Sequence, residues 1–131
     1  MARKRYRRRK KKLWSKRSDY TCIDGSVVSM DSTWEVACAV RLDELGISWE
    51  RDPSIKIKYQ TKGKRMRNYI PDFYLPEYDI YLEVKGYWTD RAKWKMRDVM
   101  VRNPGKICLL ESLDAVTSLS LPILPTTGSI T

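Results

Sequence analysis

The chain has 131 residues, enough for one domain with a modest core and too few for two. Its formal charge is +10, yet eleven Lys or Arg and no acid fall in residues 1–17, which leaves the rest near neutral with fifteen cations against sixteen acids. The absence of histidine excludes histidine bases and histidine-held zinc. The three scattered cysteines, without a Cys-x-x-Cys pair, argue against a zinc knuckle or a disulfide framework.

Taken in order, the chain begins with a basic arm, residues 1–17. Its cations are Arg3, Lys4, Arg5, Arg7, Arg8, Arg9, Lys10, Lys11, Lys12, Lys16 and Arg17. Like charges so dense repel one another and cannot bury enough surface to fold alone, so the arm is expected to be disordered until bound. It suits phosphate neutralisation on nucleic acid, which gives affinity without sequence preference. A localisation-type run or a solubilising tail are the other readings.

Residues 18–31 read as an ordered lead-in, with Val27-Val28 as a short strand after the Asp24-Gly25 turn. Ser32 then opens a helix over 33–45: Ser32 is the N-cap, Glu35 stands three residues on, and Gly46 is the stop. Spacings of three, four and seven place Glu35 on one helical face with Cys38, Ala39 and Leu42. A carboxylate there is a capping-box acid or an active-site acid, and the two roles can coexist.

Ile47 to Glu50 and Ile55 to Tyr59 read as strand, interrupted at Asp52-Pro53. Met66 to Ile70 pairs back, giving a meander of three or four strands. Lys56, Lys58, Lys62, Lys64, Arg65 and Arg67 cluster around its turn, either as a second basic surface for DNA or as an edge-strand guard against aggregation.

From Asp79 to Lys85 the side chains alternate: Ile80, Leu82 and Val84 on one face, Asp79, Tyr81, Glu83 and Lys85 on the other. The turn at Pro76-Glu77-Tyr78 folds Asp72 back toward Glu83, so that two carboxylates and an ammonium share a small volume. The alternative is a half-solvated strand with a Glu-Lys pair in water. A helix capped by Thr89 or Asp90 runs to about Arg102. Ile107 to Leu110 reads as a buried strand parallel to 79–85, and a last short helix falls within Ser112 to Leu119. The tail, 122–131, is expected to be loose. The fold class is α/β, with a central mixed β-sheet flanked by helices and a single domain over 18–121.

Pro71-Asp72, ten intervening residues, then Glu83-Val84-Lys85 resembles the PD-(D/E)XK nuclease superfamily, and the element order is that of its restriction-endonuclease-like core. A hard divalent cation needs convergent oxygen ligands, which Asp72, Glu83 and the Val84 carbonyl could supply, and Lys85 beside them could orient or deprotonate an attacking water. In that superfamily a helical Glu ahead of the hairpin often completes the metal site, and Glu35 is the candidate by order.

Residues 31–111 are similar to phage endonuclease I, the Holliday-junction resolvase type. The likeness runs through Trp34-Glu35, Leu42 to Ile47, Trp49-Glu50, Tyr69 to Pro76 and Glu83 to Trp88. It implies a homodimer dependent on Mg²⁺, with Mn²⁺ as substitute, that cuts branched DNA with Glu35, Asp72, Glu83 and Lys85 as the catalytic set. The arm has no counterpart there, and the hairpin turn is slightly longer. A sequence-specific homing, restriction-like or repair endonuclease is the next reading. A non-catalytic nucleic-acid-binding or genome-packaging protein is the reading outside enzymes. No apolar run approaches membrane-spanning length and no secretory signal opens the chain, so a cytoplasmic, reducing location without membrane partners is expected, which would include that of a phage-encoded protein in its host.

Overall fold

A computed structural model describes residues 17–122. The expected disorder of the arm at positions 1–16, its DNA contacts, and the tail at 123–131 lie outside the described residues. In order, the elements are β1 (Ser18–Thr21), β2 (Val27–Met30), α1 (Thr33–Glu44), β3 (Ile57–Gln60), β4 (Met66–Tyr69), β5 (Phe73–Leu75), β6 (Ile80–Val84), α2 (Asp90–Arg102), β7 (Ile107–Leu110) and α3 (Leu113–Thr117). The class is mixed α/β, with three small sheets and three helices among the described residues.

Local sequence sets the limits of α1. Ser32 takes the Glu35 N–H on its hydroxyl at 3.1 Å. At the other end Gly46, at φ 68°, lets the chain turn left-handed. Its N–H goes to the Asp43 carbonyl and that of Ile47 to the Leu42 carbonyl, the paired bonds of a Schellman ending. Ile47 and Leu42 then pack in the same core, which fixes how the chain leaves the helix.

The central sheet has the order β5-β6-β7. β6 pairs antiparallel with β5, Phe73 opposite Leu82, and parallel with β7, Glu83 opposite Leu109. The α2 crossover makes the parallel pairing possible. Alternation along β6 sends Ile80, Leu82 and Val84 into a core with α1, α3 and Phe73. Tyr81 turns to the other face, where Ile57, Tyr59, Tyr69, Met96 and Val99 form a second core from β3, β4 and α2. The sheet thus lies between two apolar layers, and Glu83 is on the face of the second.

The expected meander is corrected. β3 and β4 form a two-stranded sheet of their own, hydrogen-bonded to neither β5 nor β6. Pro71 has no N–H to continue a ladder from β4 into β5. Before β3, Asp52 takes the Ser54 N–H on its side chain and the Ile55 N–H on its carbonyl, so these donors are committed to a turn. Of the strand read over 47–50, a single bridge survives, Glu50 with Tyr74.

Candidate active site

Three carboxylates, from α1, the approach to β5 and β6, act on one another electrostatically, and each is held by one oxygen. Glu35, at the start of α1, accepts the Ser32 hydroxyl on Oε2 at 3.0 Å. Asp72, just before β5, accepts the Val84 N–H on Oδ2 at 2.7 Å, a direct tie across the hairpin. Glu83, on β6, accepts the Tyr69 hydroxyl on Oε1 at 2.6 Å. Tying one oxygen orients the other, which is what a site for a cation or a proton requires.

Burial and mutual repulsion raise the proton affinity of all three. Glu35 and Glu83 are buried outright, at 5% and 7% exposure. Desolvation is the main reason each titrates above the ordinary carboxylate range. Asp72 is raised furthest from its ordinary range, again chiefly by burial, then by the charges of Glu83 and Glu35. Opposing this, Arg51 favours the ionised form of Glu35 and Asp72, while the Tyr69 hydrogen bond, Lys85 and Lys95 favour ionised Glu83. Tyr69, buried against Glu83, is pushed the same way and keeps its proton to donate.

Lys85, half-buried at the end of β6, has its N–H on the Leu110 carbonyl, while its ammonium lies 5.7 Å from the Trp88 ring centre. The Trp88 indole is itself fixed by donating to Glu111 Oε1 at 2.9 Å. The Lys85 charge favours ionised Glu83. The four catalytic candidates, Glu35, Asp72, Glu83 and Lys85, are therefore brought to one region by α1 and the β5–β6 hairpin.

Arg51 is the member that the sequence reading missed. Its Nη1 stands 2.6 Å from Glu35 Oε1 and 3.9 Å from Asp72 Oδ1, and donates to the Asp72 carbonyl at 3.0 Å. Nη2 donates to Asp31 Oδ2 at 3.2 Å, and the guanidinium passes over the Phe73 ring at 5.8 Å. The Glu50–Tyr74 bridge fixes the backbone just before it. A count of charges holds the only clue in the sequence. Two buried carboxylates and a half-buried third, with one lysine near, leave negative charge that a second cation must offset.

Among the described residues, no three acidic or cysteine side chains stand at metal-ligating spacing. The guanidinium is the cation that Glu35 and Asp72 share. Glu35 Oε1 is buried without a well-aligned hydrogen bond, and the Arg51 guanidinium 2.6 Å away is its charge partner. Carboxylate oxygens are the ligand type a hard divalent cation takes, but as placed here the three side chains would have to draw together and release Arg51 to hold one.

Of the other DNA-binding candidates, Lys62, Lys64, Arg65 and Arg67 are exposed at and after the β3–β4 turn, and Arg17 pairs with Asp31 at 3.5 Å in solvent. Comparison with protein-family models, curated proteins and solved structures finds no match to this chain. No helix of the described residues is long and apolar enough to cross a membrane.

Proposed function

We propose that this chain is a metal-dependent DNA endonuclease built on a PD-(D/E)XK core, and that it acts on branched DNA as a homodimer. The observation that carries the reading is the joining of Asp72 to the Val84 N–H at 2.7 Å. That bond places the PD and EXK segments side by side, with buried Glu35 acting electrostatically on both acids. A structural role explains the trio poorly, because burying three acids together costs stability that apolar residues would not cost. The likeness of residues 31–111 to junction-resolving endonucleases supplies the substrate class.

Asp72, Glu83 and Glu35, with the Val84 carbonyl, would hold Mg²⁺ or Mn²⁺, which when bound supplies Lewis-acid activation of water and of the phosphodiester. Tyr69 and the Val84 N–H keep Glu83 and Asp72 aimed. The Lys85 ammonium, acting on Glu83 electrostatically, would offset charge on the phosphate and orient the attacking water, and as the neutral amine Lys85 could instead take that water's proton. Arg51 balances the carboxylates in the metal-free protein. One chain of this size presents one such site, so cutting two strands of a junction calls for two copies related by a two-fold axis.

The test compares cleavage of a four-way junction with that of linear duplex of the same sequence in Mg²⁺, with solution mass measured in parallel. The junction should be cut by a dimer, and both EDTA and Asp72→Ala should abolish cleavage. Activity that survives in EDTA or in the Asp72→Ala protein would overturn the reading. A monomer that cuts one linear sequence and ignores junctions transfers it to the homing or restriction-like class.

A further inference from the structure

Two adjoining recesses of about 500 and 630 Å³ run between the β3–β4 hairpin and α2, sharing Tyr59, Arg67, Arg91 and Lys95 in their walls. Lys62 and Lys93 line the outer recess. Lys85, from the candidate active site, lines the inner one. Asp90 is the single acid among the lining residues. The sequence pattern alone assigns the α2 cations no role.

Their placement conflicts with what α2 needs for its own stability. Arg91 and Lys93 sit in the first turns, where the helix dipole favours acids, and Arg91 and Lys95 stand four apart as a repelling pair. Trp94 stays 39% exposed although its indole N–H is committed to the Gln60 carbonyl at 3.1 Å, so a rigid aromatic wall faces the outer recess. Lys95 lies 5.5 Å from the centre of the Tyr69 ring, whose hydroxyl holds Glu83. Cations thus continue from the groove to the carboxylates.

We infer that the groove between α2 and the β3–β4 hairpin holds the sugar-phosphate backbone of one DNA strand and leads it to Lys85. Phosphates would lie along Arg67, Arg91 and Lys93, with a sugar or base against Trp94. The inference deepens the nuclease reading by assigning the strand path. It is tested without catalysis, so the two can fail separately.

The experiment measures binding of a fluorescein-labelled 20-base-pair duplex to the full chain in EDTA, across a salt series, for wild type, Arg67→Gln/Arg91→Gln and the control Lys56→Gln/Lys58→Gln. All four positions are exposed, and the control removes the same charge outside the groove lining. The groove pair should lose affinity about ten-fold, and its slope of log affinity against log salt should shrink by about 2, one for each lost phosphate contact. The control should change affinity less than about two-fold, as expected of charge that touches no phosphate. Equal losses in the two double variants, or an unchanged slope in the groove pair, overturn the inference. Cleavage in Mg²⁺, followed in parallel, bears on the nuclease reading alone.

Discussion

Replacing Arg51 by Met keeps the length of the side chain and removes the charge that Glu35 and Asp72 share. The guanidinium is 15% exposed and its partner Glu35 6%, so the pair is effectively out of water. Removing one member of a buried pair costs about 3–5 kcal/mol, because the remaining charge stays desolvated without its partner. Here the carboxyls can recover part of that loss by taking up protons. Both already titrate above their ordinary range in the folded chain, so folded protein holds protons that the unfolded chain has released, and stability falls as pH rises above about 4. Without Arg51 both affinities rise further, and the loss should be small near pH 5 and approach its full size at neutral pH. Urea unfolding of the full chain in EDTA at several pH values measures this directly. A divalent cation should restore part of the stability of the variant, since it replaces the missing charge. A cost below about 1 kcal/mol at pH 7.5, with no growth from pH 5, would show that the carboxylates do not depend on Arg51.

Tyr69→Phe removes the hydroxyl held by Glu83 and leaves a buried acceptor, so it should cost about 1–3 kcal/mol and raise the Glu83 proton affinity; chemical denaturation and carboxylate NMR titration check the two parts. Leu82→Ala, at the fully buried centre of β6, should cost about 2–5 kcal/mol in urea unfolding through cavity formation. Arg17→Gln should leave thermal stability nearly unchanged, because the pair of Arg17 with Asp31 is exposed. Deleting residues 1–17 should flatten the salt dependence of DNA binding, and an unaltered slope would refute the assignment of affinity to the arm.

What was legible in the sequence was local. The Ser32 cap with Glu35, the Gly46 stop and the face shared by Glu35, Cys38, Ala39 and Leu42 depend on residues within a few turns of each other. The alternation of β6 and its parallel pairing with β7 followed from a period of two and from a crossover of helical length. Pro71 was read as half of a motif, and its backbone consequence, the break between β4 and β5, was passed over. Arg51 could not be placed because its partners come from β2, the turn before α1, α1 itself and the approach to β5, a set that exists only once the chain is folded. For Arg67, Arg91 and Lys95 the obstacle was the same: no spacing rule joins a β-hairpin to a helix more than twenty residues later.

Two local conflicts in this fold have opposite signs. Glu35, Asp72 and Glu83 are acids in places where burial disfavours their charge. Arg91, Lys93 and Lys95 are cations in the N-terminal half of a helix whose dipole disfavours theirs. Neither arrangement helps the isolated chain, and in a sequence otherwise consistent with its elements such departures mark where binding, rather than folding, sets the residue. The opposing charges offset one another only in part: Lys85 and Lys95 act on Glu83, while Arg51 is the partner of Glu35 and Asp72. A single ligand of one sign could relieve only one of the two conflicts. A polyanionic strand together with a divalent cation relieves both, the strand on α2 and the cation at the carboxylates, and their meeting point is Lys85. On the proposed reading the chemistry would fall at Lys85, which lines the groove and acts electrostatically on Glu83.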